Sequence, residues 1–166
     1  MDQPWVWADT ADIVTHRGLT TLEGEILSAF VLETYPNSSD TLKVTSFVRG
    51  YKHGTSTAYF PNNTLRETRE YKKGRKVGEY IGYFPNGDVH FSFHFENDNY
   101  HGTAKEWTQE GVLIKEMNYE KGYESGPQKV WYDNGKIKSN YIVKDGRRYG
   151  LLGTKNCINV KDSIAL

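Results

Sequence analysis

Histidine and cysteine are the residues of this 166-residue chain that would first suggest metal chemistry. His90 and His94 are four residues apart. On a β-strand they would share a face about 13 Å apart, which is too far for one metal ion. The only cysteine, Cys157, excludes an internal disulfide and a multi-cysteine zinc site. We therefore predict no bound metal and no other cofactor. A metal-handling accessory role through Cys157 and nearby histidines is kept as an alternative hypothesis.

Residue patterns typical of enzymes are missing from the sequence. It contains no phosphate-binding loop, no dinucleotide-binding glycine pattern, no nucleophile elbow and no zinc-protease motif. Carboxylate pairs such as Glu106 and Glu110 occur, but glutamates this frequent are typical of a solvated surface rather than of acid–base catalysis. We predict that the protein is not an enzyme and has no catalytic residues.

Two basic clusters are candidates for binding anions. They are Lys72, Lys73, Arg75 and Lys76, and then Arg147 and Arg148. The clusters belong to alternating charge bands, since residues 79–102 hold four acidic residues and no Lys or Arg. The bands either attract one another across a sheet, or provide a site for phosphate, anionic lipid or an acidic partner at two turns. The chain has 21 basic and 21 acidic residues, and zero net charge argues against non-specific nucleic-acid binding.

Four aromatic residues, which we call the aromatic ladder, recur at intervals of 24 residues: Tyr59, Tyr83, Trp107 and Trp131. In a sheet of hairpins they would line up about 10 Å apart along one face. They form either a buried stripe or an exposed groove that anchors a peptide or stacks on sugar rings. Tyr51, Tyr100, Tyr123 and Tyr149 would extend such a groove.

The elements that position these residues are predicted by a glycine repeat. Gly54, Gly78, Gly102, Gly126 and Gly150 are each 24 residues apart. Within each copy, Asn and Gly residues near the middle supply the positive φ of a tight turn, and short apolar or alternating segments lie on both sides. The alternation places Leu113, Met117 and Tyr119 on one face of a strand. Each copy is therefore predicted to be an antiparallel β-hairpin, and an irregular earlier copy begins at Ala29.

These residues resemble the MORN repeat, in the bacterial variant often labelled antitoxin-like. The resemblance rests on Tyr83-Phe84-Pro85-Asn86-Gly87, followed by an aromatic residue before a glycine-bearing turn and a second glycine four residues on. It covers roughly residues 26–150. It implies an all-β, elongated, single-layer, twisted antiparallel sheet of about five to six hairpins, with residues 1–28 as an N-terminal cap, residues 29–150 as repeats and residues 151–166 as a C-terminal cap.

A repeat surface of this kind predicts binding rather than catalysis. We expect a scaffold that mediates protein–protein interaction, in an antitoxin-like or envelope-assembly role. The alternative is a module that binds anionic lipid headgroups or glycans. Open sheet edges favour a homodimer as a further option. For localisation the chain as it stands indicates the cytoplasm, and an exported domain that has lost its leader is the alternative.

Overall fold

The computed structural model describes residues 3–153, and these residues contain β-strands but no helix. The first strands are β1 (Trp5–Trp7), β2 (Ile13–His16), β3 (Leu19–Leu22) and β4 (Glu25–Ile26). An irregular hairpin follows as β5 (Ala29–Thr34), β6 (Thr41–Val48) and β7 (Tyr51–Lys52). The repeats supply β8 (Gly54–Tyr59), β9 (Leu65–Lys72), β10 (Arg75–Tyr83), β11 (Val89–Glu96), β12 (Asn99–Tyr100), β13 (Gly102–Trp107), β14 (Leu113–Glu120), β15 (Tyr123–Trp131), β16 (Ile137–Lys144) and β17 (Arg147–Leu151). Since this part of the chain is helix-free, it offers no helix long and apolar enough for a membrane span.

Most of these strands form one large sheet of 14 strands, in the order β1-β5-β6-β8-β9-β10-β11-β13-β14-β15-β16-β17, with β7 and β12 paired at its side. Neighbours are antiparallel because each follows its predecessor through a hairpin turn, and β1 is the exception, since it pairs with β5 in parallel. The prediction of an all-β sheet of hairpin repeats is confirmed. Within residues 3–153, β1 and β17 are the edges of this sheet, and edge-to-edge dimerisation stays a prediction.

One turn in each repeat is built from the asparagine and glycine columns of the sequence. Asn63, Gly87, Gly111 and Gly135 all have a positive φ there, between 60° and 91°. In three copies the preceding asparagine side chain accepts a backbone N–H two residues on, as Asn86 Oδ1 does from Asp88 N at 3.1 Å. These local bonds fix where each hairpin reverses.

The return turns, which link one repeat to the next, have two consecutive residues of positive φ, such as Lys73 and Gly74. Such turns have the twist that an antiparallel ladder needs. Asp98 stands where other copies have glycine and still has φ 71°. Its side chain accepts a hydrogen bond of 2.8 Å from Lys76 N, so it joins its turn to the preceding one.

A register shift in each repeat hairpin decides which side chains share a face. Glu106 lies opposite Lys115, but the next residue, Trp107, lies opposite Leu113. The extra residue reverses the alternation at this point. The prediction that Leu113 shares a face with Met117 is therefore wrong, because strict alternation does not include a bulge.

The large sheet consequently has two different faces. We call one the ladder face, because alternation along the strands places the aromatic ladder there. We call the other the aromatic face, since cross-strand pairs place Tyr80 beside Phe93, Met117 beside Ala104 and Tyr141 beside Gln128 on it.

A second, three-stranded sheet of β2, β3 and β4 covers the first hairpin on the aromatic face. Its Ile13 and Leu22 pack against a buried cluster. The cluster consists of Ala29, Val31 and Phe47 of the large sheet and of Leu27, which lies just before β5. Thr20 N also donates to Gly50 O at 2.7 Å, which ties β3 to the end of the hairpin. The strands β2–β4, within residues 13–26, thus provide a partial second layer, while β1 belongs to the large sheet. The predicted C-terminal cap lies almost wholly outside the described residues, which end at residue 153.

Candidate functional site: a bare aromatic face

Six aromatic rings touch one another on the aromatic face where no second layer formed by residues 3–153 covers it. They are Tyr80, Phe91, Phe93, Phe95, Tyr100 and Tyr119. Phe91 and Phe93 stack with centroids 4.7 Å apart, and Tyr80 meets Phe91 edge-on at 4.8 Å. Only Phe95 is buried, and the other five rings are half-buried or exposed. The result is a continuous apolar surface that water still reaches.

The rings converge because the backbone below them leaves room. Gly82 lies opposite Phe91 on the neighbouring strand, and a Cβ atom at Gly82 would overlap the Phe91 ring. Ala104 and Met117 continue the surface across the next strands, where Phe93 and Tyr119 pack against them. A small residue beside a large one lets each ring lie flat across the neighbouring strand.

Cations stand over the rings on the side of this surface nearer the N-terminus. Arg69 Cζ lies 3.7 Å from the centre of the Tyr80 ring, and Lys76 Nζ lies 5.4 Å from that of Phe95. Lys52 Nζ lies 5.3 Å from that of Tyr71. None of these three cations forms an ion pair with a residue in the range 3–153. This side therefore carries three cations without an ion pair in that range, beside one carboxylate, Glu67, which accepts the O–H of Tyr80.

The opposite side of the surface carries cations that are already neutralised. Lys115 Nζ donates to Glu106 Oε1 at 2.8 Å, and Arg148 NH2 lies 3.0 Å from Glu124 Oε2. Tyr141 also donates its O–H to Glu124, at 3.1 Å. The surface thus has an electropositive half at β7–β10 and an ion-paired half at β13–β17.

Three tyrosines of this face are held in the neutral form. Burial raises the pKa of Tyr80, and the Glu67 carboxylate that accepts its O–H at 2.8 Å raises it further. Burial likewise raises the pKa of Tyr119 and of Tyr141. These phenols remain hydrogen-bond donors throughout the physiological pH range.

A buried glutamine supports the ion-paired half from within. Gln128 has no exposed surface. Its Oε1 accepts Asn118 N at 2.9 Å, and its Nε2 donates to Asn118 O at 2.8 Å. It therefore bonds the backbone beside the register shift between Met117 and Tyr119. Sequence reasoning missed this residue, because the equivalent positions in other copies are Ser56, Tyr80 and Ala104.

The aromatic ladder lies on the opposite face from the six rings. Each of its members is half-buried and faces an aliphatic residue of its own hairpin, as Tyr83 faces Val89 and Trp131 faces Ile137. Tyr59 faces Leu65 in the same way. Trp107 also lines a shallow cleft of about 430 Å³ with Val89 and Glu110. The ladder is thus a set of cross-strand pairs beside the turns, and its role in binding stays a prediction.

The two basic clusters have different surroundings. Lys73 lines two cavities, one of about 580 Å³ with Arg49 and His53, and one of about 320 Å³ with Lys72 and Arg75. Arg148, by contrast, is paired with Glu124, and Arg147 is exposed on the edge strand β17. The cluster at Lys72–Lys76 therefore offers an anion a recess among cations, and the cluster at Arg147 and Arg148 does not.

A metal site is not formed by the residues that the structure describes, because no three His, Cys, Asp or Glu side chains converge among residues 3–153. His94 and His101 approach one another with ring centroids 6.4 Å apart, and His101 Nδ1 lies 3.5 Å from Glu96. Cys157 lies outside the described residues, so the metal-handling alternative stays a prediction.

A signal for the six-ring surface was present in the sequence. Phe91, Phe93 and Phe95 alternate with polar residues along one strand, which marks an apolar face. Tyr80 gave no such signal, because the rest of its column varies from copy to copy. Tyr100 was predicted to extend a groove along the aromatic ladder, but it pairs with Phe95 and lies among the six rings of the opposite face.

Comparison with known proteins supports the repeat. A family model described as MORN repeat variant matches residues 52–73, 76–97, 100–121 and 124–145, which together span just over half of the chain. No curated protein matches the chain in sequence. One matching solved structure is the crystal structure of the GtfA/B complex bound to UDP and GlcNAc, at 10% identity and a TM-score of 0.28. That match covers 91% of this chain but 27% of the other chain's length, and a likeness this distant does not bear on function.

Proposed function

We propose that this chain, which belongs to the MORN repeat variant family, is a non-catalytic scaffold that binds another protein on its aromatic face. The observation that carries the proposal is the continuous set of six contacting rings on a sheet face that no other described part of the chain covers. Large connected apolar patches are uncommon on proteins that act alone, and aromatic residues dominate the energetics of protein interfaces.

The charges around the rings fit the same proposal. Polar groups at the margin of an interface steer the partner and exclude alternatives, while aromatic residues at its centre supply affinity. Arg69 and Lys76 border the rings on one side, and Lys115 with Glu106 borders them on another. The antitoxin-like and envelope-assembly roles implied by the resemblance are both forms of this proposal, because each requires a protein partner held by the scaffold.

Site-specific crosslinking in the native host tests the proposal. A photoreactive phenylalanine analogue placed at Phe93 faces outward from the aromatic face, whereas the same analogue at Ser92, the adjacent residue, faces outward from the ladder face. We expect a defined crosslinked protein band from position 93 and a much weaker one from position 92. Mass spectrometry would identify the partner.

The crosslink from position 93 should also disappear when Tyr80 and Phe91 are both replaced by serine, provided that circular dichroism shows an intact sheet. Equal crosslinking from positions 92 and 93 would contradict the proposal. So would crosslinking from position 92 alone.

A second candidate function is anion binding at the return turn of β9 and β10. It is favoured by the two cavities that share Lys73 and by the cations around them, Arg49, Lys72 and Arg75. Anionic lipid headgroups and acidic glycans are both ligands of this kind. Vesicle flotation tests the lipid form: K73Q should reduce binding to anionic vesicles severalfold, and R147Q, at the other basic cluster, should not. Equal loss in both variants would indicate a response to net charge alone.

A further inference from the structure

The aromatic face has a charge asymmetry that the rings alone do not explain. Lys52, Arg69 and Lys76 each stand over a ring, and none pairs with a carboxylate within residues 3–153. In addition, Arg69 Nε is buried and finds no hydrogen-bond acceptor in the same range. The guanidinium is held against the Tyr80 ring, with its carbon 3.7 Å from the ring centre.

These three cations lie next to one another in the sheet. Lys52 lies beside Tyr71, Tyr71 pairs across the strands with Lys76, and Lys76 lies beside Phe95. Cations and rings thus alternate across neighbouring strands, which are about 4.8 Å apart. Arg69 and Tyr80 form a second cross-strand pair of a cation and a ring on the same two strands, two residues from Tyr71 on β9 and four from Lys76 on β10 because the register shifts between them.

From this arrangement we propose that the segment of the partner which docks here is acidic, with carboxylates that bind Lys52, Arg69 and Lys76 and apolar side chains that lie on the neighbouring rings. The inference rests on the proposed function and specifies the chemistry of its partner. Side chains two residues apart on an extended peptide are about 6.8 Å apart on one side, so a carboxylate and the next apolar side chain on that side can reach a cation and a ring on neighbouring strands.

Ring geometry favours a peptide over a sugar at this site. Sugars stack on open, flat ring faces, as nucleic-acid bases do. Here the Tyr80 face is covered by Arg69 at 3.7 Å, and the ring of Phe93 meets those of Tyr80 and Tyr100 nearly edge-on, at 67° and 80°. Carboxylates can reach the cations from above, while the ring edges remain available to apolar side chains.

Fluorescence anisotropy with a defined probe tests the inference on the full chain. The probe is a fluorescein-labelled peptide in which glutamate and tryptophan take turns at every second position, with glycine between them, so that both kinds of side chain lie on one side of the extended chain. The reference is the same peptide with every glutamate replaced by glutamine. We expect the glutamate peptide to bind at least about tenfold more tightly at low ionic strength. Added salt should reduce that preference.

A charge-matched pair of triple variants locates the effect. The variant K52Q/R69Q/K76Q should lose the preference for the glutamate peptide, whereas K129Q/K138Q/K144Q removes three exposed lysines from the ladder face and should keep it. This control also contains a lysine over a ring, since Lys138 Nζ lies 5.7 Å from the centre of the Tyr132 ring. Salt dependence of the unmodified chain gives an independent readout if a variant folds poorly.

Several outcomes would overturn the inference. Equal affinity for the two peptides would show that carboxylates are not recognised, and equal losses in both triple variants would show that only net charge matters. Anionic vesicles that bind through Lys52, Arg69 and Lys76 while the peptide does not would assign the site to lipid. A crosslink at position 93 to a partner without an acidic segment would leave the scaffold function standing and remove this inference alone.

Discussion

The aromatic face of the large sheet differs between its N-terminal end and its repeat region. Over β5 and β6 the three-stranded sheet covers it, and Ala29, Val31 and Phe47 are 1%, 4% and 7% exposed. Over β10–β14 nothing among the described residues covers it, and Phe91 and Phe93 remain half-buried. Both regions are built from antiparallel hairpins of one sheet, and the second layer over β5 and β6 turns that region into a core.

The difference teaches how a single-layer sheet is held together. A covered sheet gains stability by removing aliphatic side chains from water. The repeat region instead relies on contacts within one layer, namely ring-to-ring packing, hydrogen bonds at the turns and the buried side chain of Gln128. Among the described residues its aromatic face therefore stays in contact with water.

The largest expected effect separates the two regions directly. Phe47→Ala should destabilise the protein by about 3–4 kcal/mol, because it opens a cavity between two layers. Phe93→Ala should cost only about 1–2 kcal/mol, since the half-exposed ring leaves little cavity. Urea unfolding of both variants measures the difference. Equal costs would mean that the repeat region has a buried core after all.

A smaller effect tests the polar support of the uncovered region. Gln128→Ala should cost about 2–3 kcal/mol, because Asn118 N and Asn118 O both lose a buried hydrogen-bond partner. The matched control is Gln109→Ala, at an exposed glutamine, which should change stability by less than about 0.5 kcal/mol. A cost for Gln128→Ala no larger than that of the control would show that the backbone there is satisfied in another way.

A smaller change tests how the rings pack on the strand below them. Gly82→Ala places a methyl group where the Phe91 ring lies, so the ring should swing away and stability should fall by about 1 kcal/mol. In a Phe91→Ala background the same substitution should cost little, because the obstacle is gone. A double-mutant cycle by urea unfolding gives the coupling energy. Additive costs would contradict the contact between Gly82 and Phe91.

The smallest effect concerns pH. Because burial raises the pKa of Tyr80, Tyr119 and Tyr141 above the usual value of about 10, the folded state holds their protons more tightly than the unfolded state. Their contribution is complete below about pH 10 and should be lost as the pH rises through the higher folded values. Urea midpoints should fall in this range, and replacing all three tyrosines by phenylalanine should flatten the fall.

Much of the fold could be predicted from the sequence because its causes are local. The turn glycines, the asparagines that bond their own backbone and the alternation of Phe91, Phe93 and Phe95 all act within one hairpin. The candidate site was harder to predict. The aromatic ladder was the most regular aromatic column, yet the contacting rings lie on the other face, in columns where residue types vary.

The sequence by itself determined the 24-residue repeat, the hairpins and their turns, because tight turns and alternating strands depend on residues close together in the chain. Only the tertiary structure decided which side chains meet. A single extra residue at each register shift moves Leu113 to the ladder face, since alternation has a period of two and one insertion reverses it. The small sheet of β2–β4 packs over β5 and does not extend over β11. A local sequence pattern cannot predict this, because the packing joins segments that are distant in the chain.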